Sequence, residues 1–182
     1  MITKDDNELV YEVIHGNISS FEILIERYQK TIFNIVLRMV NDEETARDLT
    51  QDIFIRVYEK MGSFKFSYRF FSWIYRIAAN ETINYLKSAQ RIELHKLTEK
   101  LVNEADSGSE REETIQKLRK GLRQIRPDLR LLLLLKYFFG LSYEEMAEVL
   151  QLPEKKIKAR LFTAREVLRE ELLKNDFFDH DR

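Results

Sequence analysis

Hydrophobic residues recur at steps of three and four along most of the chain, which is the period of an α-helix. Three segments of the N-terminal half carry stripes wide enough to face a core. Together with a short helix before them, they predict a four-helix unit. The stripes consist of Phe21, Leu24, Ile25, Tyr28, Ile32, Ile35, Val36 and Met39, then Ala46, Leu49, Ile53, Val57 and Met61, then Phe70, Trp73, Ile74, Ile77, Ile83 and Leu86.

Polar residues at the ends of these stripes predict the helix boundaries. The first short helix is expected to be capped by Thr3, and a capping box is expected at Ser19–Glu22. Asn41 is expected to cap the next helix, with Glu44 at its third position, and Gly62 is expected to end it.

The helical period weakens between residues 88 and about 113. From Glu93 to Glu113 there are seven Asp/Glu against three Lys/Arg, around a Ser-Gly-Ser centre. Such a composition is typical of a solvated, flexible linker. Apolar periodicity returns at Ile115, and Pro127 then stands where proline is tolerated, at the start of a helix that ends at Gly140.

The chain is therefore predicted to be all-α, with two small helical domains joined by a flexible linker. We expect the first domain at residues 1–90, the linker at 91–113 and the second domain at 114–176.

Composition excludes several classes of protein. The chain has no cysteine, so disulfides, zinc fingers and thiol catalysis are excluded. Its three histidines lack metal-ligand spacing, and it has no glycine-rich phosphate loop. The N-terminus is acidic, and the apolar run LLLLLKYFF is too short to span a bilayer. We expect a cytoplasmic protein that is not an enzyme, with no metal, cofactor or small-molecule substrate.

The segment from Ser142 to Phe162 has the parts of a helix-turn-helix. Ser142 and Glu145 form a capping box, and Pro153 opens a second helix. Between Pro153 and Arg169 there are six Lys/Arg against two Glu, although the net charge of the chain is only −1. Glycine is common in such a turn, but Gln151 stands here. Taken alone, these cations indicate either a DNA-facing helix or an ordinary solvated face.

Two blocks of sequence, in order and covering nearly the whole chain, resemble the extracytoplasmic-function (ECF) group of sigma-70 family sigma factors. The C-terminal block, RPDLRLLLLLKYFFGLSYEEMAEVLQLPEKKIKARLFTAREVLREEL, is similar to the promoter-reading domain of that group. The other block, DLTQDIFIRVYEKMGSFKFSYRFFSWIYRIAANETINYLK, is similar to its N-terminal domain. The resemblance implies a subunit that gives bacterial RNA polymerase its promoter specificity.

The resemblance also implies which side chains meet the polymerase core. The segment from Asp48 to Phe54 matches the part of the family that docks on a coiled coil of the largest polymerase subunit. Without the family, a solvated acidic face is the simpler interpretation of this segment. The expected core-binding residues are Asp48, Leu49, Gln51, Asp52, Phe54 and Arg56.

A second local excess of cations lies between Gly62 and Arg91, where five Lys/Arg stand against one Glu. Aromatics that alternate with cations can stack unpaired bases while they hold the phosphates. The family places −10 recognition and strand opening in this loop and the following helix. Trp73 is left open between core packing and this surface. The expected −10 residues are Phe64, Lys65, Phe66, Ser67, Tyr68, Arg69, Trp73, Arg76, Asn80, Asn84 and Lys87.

The family places duplex −35 recognition on the last basic helix. Ala159 and Thr163 depart from the serine and arginine that are common there, and both changes remove donors that read base edges. The expected −35 residues are Lys155, Lys156, Lys158, Ala159, Arg160, Phe162, Thr163 and Arg165.

The partners implied by the resemblance are the polymerase core, promoter DNA (duplex at −35, melted at −10) and an anti-sigma factor that holds the protein inactive, in some cases at the membrane. The alternative is a stand-alone helix-turn-helix regulator that binds duplex DNA without polymerase. The acidic tail DFFDHDR has no counterpart in the family pattern.

Overall fold

The structure, a computed structural model, describes the backbone of residues 4–96, 117–118 and 120–174, and the side chains of the same ranges except 90–96. Within these ranges the regular elements are helices and no strand is present, in agreement with the predicted all-α class. The described chain divides into two compact units, one made of residues up to Tyr85 with Ala147–Gln151, the other of the remaining residues.

The first unit is built on α1 (Asp6–Ile14), α2 (Ile18–Val40), α3 (Glu43–Lys60) and the start of α4 (Phe70–Lys96). A 3-10 turn at Met61–Ser63 follows α3. Helix α2 packs against both α1 and α3. The predicted stripes supply the core, and the fully buried side chains include Leu24, Ile32, Ile35, Met39, Ile53, Phe70 and Ile74.

Polar contacts fasten α1 to α2. Asp6 accepts hydrogen bonds from Tyr28 and Arg27, and Glu12 accepts one from Ser20. Ser20 is therefore buried inside α2, and the predicted capping box at Ser19–Glu22 is wrong because α2 already begins at Ile18. Burial, and then the bond to Asp6, raise the pKa of the Tyr28 phenol.

The junction of α2 and α3 also differs from the prediction. Asn41 ends α2 in the left-handed conformation, with φ 58°, and does not cap α3. The cap of α3 is Asp42, whose carboxylate accepts from the backbone N–H of Thr45 at 2.8 Å. Asn is one of the few non-glycine residues that tolerate this conformation. The sequence therefore does contain a residue suited to end α2 and a residue suited to cap α3, but the cap lies one position later than predicted. Thr3, the other predicted cap, lies outside the described residues, and the cap of α1 is instead Asp5, whose carboxylate accepts from the backbone N–H of Glu8 at 2.8 Å.

Helix α4 continues to Lys96, ten residues beyond the predicted Leu86, so the first part of the predicted linker is helical. The rest of the predicted linker, residues 97–113, lies outside the described residues, as does the acidic tail.

The second unit contains α5 (described at 117–118 and 120–124), α6 (Pro127–Leu133), a π-helical turn (Leu134–Phe138), the start of α7 (Tyr143–Leu150) and α8 (Glu154–Lys174). Proline begins α6 as predicted. Helix α6 packs against α8. Gly121 of α5 also lies against α8, where an added Cβ would come within 2.9 Å of the Leu172 side chain, which explains a glycine inside a helix.

The π-helical turn was not predicted from the sequence. The N–H of Phe139 donates to the carbonyl of Leu134 at 3.0 Å, one residue further back than in an α-helix. In a regular α-helix, Tyr137 and Phe138 would follow Leu133 and Leu134 on the buried face. In this turn, which follows a run of buried residues, they are 61% and 49% exposed.

Arg130 is a buried cation that joins two helices. It is only 5% exposed, and its guanidinium donates to the carbonyls of Arg123 at 3.2 Å and Ile125 at 3.3 Å, at the end of α5. Desolvation lowers the pKa of this guanidinium. Its structural value lies in satisfying carbonyls that a helix end leaves without partners.

We predict that Arg130→Leu lowers the stability of the second unit by about 1–3 kcal/mol, because buried carbonyls lose their donor. Hydrogen–deuterium exchange of the amides in α5 and α6 of the full chain measures this change. Arg126→Leu is the matched control: Arg126 is exposed and pairs with Asp128 at 3.1 Å, so it should alter exchange by less than about 0.5 kcal/mol. Equal effects of the two variants would contradict this role.

Candidate nucleic-acid interface and docking face

Helix α8 separates its apolar and basic faces cleanly. Ile157, Leu161 and Ala164 recur at helical spacing and are at most 1% exposed. Because these positions fix the buried side, the basic positions between them face solvent. All the residues predicted for −35 contact are exposed: Lys155, Lys156, Lys158, Ala159, Arg160, Phe162, Thr163 and Arg165.

Helix α7 and the turn before α8 are fixed by local contacts. The predicted capping box is confirmed: Glu145 N–H donates to the Ser142 hydroxyl at 3.1 Å, and Ser142 N–H donates to the Glu145 carboxylate at 2.8 Å. Gln151 has a left-handed φ of 53°, the conformation for which glycine is the usual choice. Pro153 was predicted to be the first residue of α8, but the helix begins one residue later, at Glu154. The carbonyl of Pro153 accepts from the backbone N–H of Lys156 at 2.8 Å.

Two cations of α8 rest on aromatic rings. The ammonium of Lys158 lies 5.2 Å from the centre of the Tyr143 ring and 3.3 Å from the carboxylate of Glu154. The guanidinium of Arg165 lies 6.0 Å from the centre of the Phe162 ring. These contacts hold both charges at the surface, where phosphates can reach them.

Thr163 has less capacity to read bases than its exposure suggests. Its hydroxyl donates to the carbonyl of Ala159 at 3.2 Å, one turn earlier. Since Ala159 has no polar side-chain atom, neither position offers a free donor in this conformation. The departure from the family pattern therefore leaves this face of α8 more apolar, around Phe162.

The predicted −10 loop divides into a buried and an exposed part. Phe64 is only 6% exposed and stands in a cluster of rings, 5.3 Å from Phe66, 5.7 Å from Phe70 and 5.4 Å from Trp73 between centroids. Trp73 is 7% exposed, so the alternative left open by the sequence is settled in favour of core packing. Phe64, which the sequence analysis grouped with the −10 residues, is buried in the same way, because both rings fill the space between the loop and α4. A role of these two residues in −10 binding stays a prediction.

The exposed part of the loop keeps the alternation of aromatics and cations. Phe66 is 45% and Tyr68 48% exposed, and Lys65, Ser67 and Arg69 are also exposed. On α4, Arg76 is half-buried, and Asn80, Asn84 and Lys87 are exposed. Steps of four, four and three place these α4 residues on one face of the helix, continuous in sequence with the loop.

The predicted docking helix α3 likewise divides its residues. Leu49 and Phe54 are buried in the unit, so they support the surface without forming it. Asp48, Gln51, Asp52 and Arg56 are exposed. Arg56 is already engaged with Glu59 at 3.4 Å and with Glu81 of α4 at 3.6 Å. The sequence analysis missed Ile55, which is 58% exposed between these polar side chains.

A shallow groove of about 330 Å³ lies beside this face, between α2 and α3. The lining residues from α2 were not predicted, because only the packing of two helices brings them next to Gln51. The groove is lined by Gln29, Lys30, Phe33, Arg47, Thr50 and Gln51.

Two kinds of site are absent from the part of the chain that the structure describes. None of its helices is long and apolar enough to cross a membrane. In the same residues, no group of three or more His, Asp or Glu is placed to hold a metal ion.

Comparisons with known proteins match both halves of the chain to one family. Residues 24–92 match the family model for Sigma-70 region 2, and residues 115–168 match that for Sigma-70, region 4. The chain is 32% identical to the RNA polymerase sigma-H factor of Pseudomonas aeruginosa, covering 92% of this chain and 94% of that protein. It is also 31% identical to the ECF RNA polymerase sigma-E factor of Escherichia coli, over 90% of this chain and 92% of that protein. This chain is an ECF sigma factor of the sigma-70 family.

Solved structures show the same fold. CnrH, in complex with the cytosolic domain of CnrY, superposes with a TM-score of 0.67 at 23% identity and covers 94% of this sigma factor and 98% of its own chain. The sigma factor RpoE from Bartonella quintana, in complex with the anti-sigma factor NepR, superposes with a TM-score of 0.64 at 24% identity. The match covers 89% of this sigma factor and 98% of the RpoE chain. With the family established, the alternative of a stand-alone regulator is not favoured.

The burial of Phe64 leads to a testable prediction about the loop. Phe64→Ala should destabilise the first unit of this sigma factor by about 3–5 kcal/mol, because it leaves a cavity in the ring cluster. The only tryptophan of the chain, Trp73, lies in that cluster, so urea unfolding followed by its fluorescence measures the change.

Phe66→Ala is the matched control, since it removes the same ring from an exposed position of the same loop. It should shift the free energy of unfolding by less than about 1 kcal/mol. A Phe64→Ala protein as stable as the Phe66→Ala protein would contradict the assignment of Phe64 to the core.

Proposed function

We propose that this sigma factor binds the core of bacterial RNA polymerase and directs it to promoters through two DNA-contacting surfaces. The observation that carries the proposal is that one chain presents an aromatic–cationic loop and a basic recognition helix, in units that match regions 2 and 4 of the family. In this assignment residues 1–90 dock on the core and open the −10 element, 91–113 form a linker, and 114–176 read the −35 element.

The docking surface is the exposed face of α3 together with the neighbouring groove. Asp48, Gln51 and Asp52 supply polar and acidic contacts for a basic partner. Ile55 adds apolar area in the middle of these contacts, as at the centre of many interfaces. The groove, lined by Gln29, Lys30 and Phe33 of α2, extends this surface to a second helix.

The melted −10 strand is held by the exposed part of the loop and by α4. Phe66 and Tyr68 stack on unpaired bases, which contributes about 1–3 kcal/mol per base, while Lys65 and Arg69 meet the phosphates. Asn80 and Asn84 offer amides that pair with base edges. Phe64 and Trp73 act indirectly, because their packing fixes the loop that presents the other side chains.

The duplex −35 element is read by α8 in the major groove. Lys156 and Lys158 donate to base edges, and Phe162 contacts a thymine methyl group. Lys155, Arg160 and Arg165 hold phosphates, which makes binding sensitive to salt. Because Ala159 and Thr163 provide no free donor, we propose that apolar contact has a larger share in −35 recognition here than in the family pattern.

We further propose that the chain contributes no catalytic chemistry and needs no cofactor, since phosphodiester bond formation belongs to the polymerase. The structural relatives in complex with CnrY and with the anti-sigma factor NepR support an anti-sigma factor as a partner of this chain too. Such a partner, acting in the cytoplasm or at the inner face of the membrane, would restrict the protein to conditions of stress.

Transcription with purified components tests the main proposal. Core polymerase from Escherichia coli or Pseudomonas aeruginosa, mixed with this protein and genomic fragments, should give promoter-specific transcripts that are absent without it. The result that would sink the idea is tight binding of the protein alone to duplex sites with no transcript from either polymerase.

Two pairs of substitutions should separate docking from strand opening. Asp48→Lys with Asp52→Lys reverses the charge of the docking face and should weaken core binding by at least about tenfold, or ~1.4 kcal/mol. Phe66→Ala with Tyr68→Ala should leave core binding unchanged and reduce open-complex formation by at least about fivefold, as expected if stacking of one base is lost. Fluorescence anisotropy measures binding to the core polymerase, and permanganate reactivity of unpaired thymines measures open-complex formation.

A promoter with a pre-melted −10 bubble serves as the control for the second pair. It removes the cost of melting and should restore part of the activity of the Phe66→Ala, Tyr68→Ala protein, but none to the docking variant. Loss of core binding in both variants would count against separate surfaces.

A further inference from the structure

Tyr137 is an exposed aromatic residue that the proposed function does not yet use. It is 61% exposed, more than any other large hydrophobic side chain of the described residues. Tyr137 lies in the π-helical turn Leu134–Phe138, which directly follows a run of buried leucines. Single π-turns within helices occur frequently at functional sites.

The Tyr137 hydroxyl lies beside a predicted phosphate-binding cation of α8. The Arg165 guanidinium donates to Tyr137 Oη over 3.4 Å, at the long end of hydrogen-bond distance. The same guanidinium lies 6.0 Å from the centre of the Phe162 ring. Arg165 is therefore oriented by a residue of its own helix and by a residue from outside the helix-turn-helix.

These contacts limit the conformations of a long side chain at the DNA-facing surface. Phe162 stands three positions before Arg165 on α8, so its ring restrains the guanidinium along the helix. The Tyr137 hydroxyl restrains it from a second direction. An arginine that is already ordered loses less conformational freedom when it binds a phosphate, and this increases affinity.

We propose that Tyr137 is a positioning residue for promoter binding: it orients Arg165, together with Phe162, toward a backbone phosphate of the −35 element. The inference rests on the proposed function, because it assigns a further residue to the same DNA-binding surface. Tyr137 acts through Arg165 and adds no phosphate contact of its own. Its exposed hydroxyl has no part in the apolar core.

The test uses the full chain in holoenzyme and a promoter fragment that the wild-type holoenzyme transcribes. Tyr137→Phe should raise the dissociation constant roughly threefold, because Arg165 loses one of its two restraints. Arg165→Ala should raise it roughly tenfold and reduce the slope of log K against log salt by about 0.9, as expected for one phosphate contact. Tyr137→Phe should leave that slope unchanged.

A double-mutant cycle separates positioning from direct contact. In the Arg165→Ala background, Tyr137→Phe should have no further effect on binding. Tyr11→Phe, which removes the hydroxyl of a similarly exposed tyrosine on α1, is the control and should bind as the wild type does. The thermal unfolding midpoint of Tyr137→Phe should equal that of the wild type.

Three results would overturn the inference while the proposed function stands: unchanged binding by Tyr137→Phe, an effect of equal size with and without Arg165, or a lowered unfolding midpoint. If the wild-type holoenzyme itself selects no promoter fragment, the proposed function fails and the inference falls with it. The wild-type measurement alone thus distinguishes the two failures.

Discussion

Burial of one apolar stripe per helix is the constraint on which the other features of this protein depend. In α8, Ile157, Leu161 and Ala164 are buried, and this orients the basic side chains toward solvent. In α3, burial of Leu49, Ile53 and Val57 leaves the acidic side exposed in the same way. In such a protein the surface available to partners consists of the helix sides opposite the core, because a helix that buries one side exposes the other.

In the first unit, burial of an aromatic side chain likewise determines which residues of a loop are exposed. A loop has no regular backbone hydrogen bonds to hold its shape, so side-chain burial has to replace them. Phe64 provides this by packing on Phe70 and Trp73, and its neighbours Phe66 and Tyr68 remain exposed. Rings that the sequence places in one group therefore divide into a structural set and a surface set.

The helix caps were predicted wrongly where neighbouring residues are equally suited to cap a helix, because residue type alone does not distinguish between them. Asn41 and Asp42 are both good capping residues, and only the backbone conformation shows that the first ends α2 and the second begins α3. Ser19 and Glu22 have the spacing of a capping box, but α2 already begins at Ile18, and the neighbouring Ser20 donates to the carboxylate of Glu12 on α1. The capping box at Ser142 was predicted correctly because both of its partners lie within four residues.

Taken by itself, the sequence determined the all-α class, the buried stripes, the start of α6 at Pro127 and the exposed basic side of α8, since each depends on the helical period or on nearby residues. Only the tertiary structure decided which aromatics of the −10 loop are buried, where the groove between α2 and α3 lies, and that Tyr137 meets Arg165. The physical reason is distance along the chain. Tyr137 and Arg165 lie 28 residues apart on different helical elements, and no periodic pattern in the sequence links the two positions.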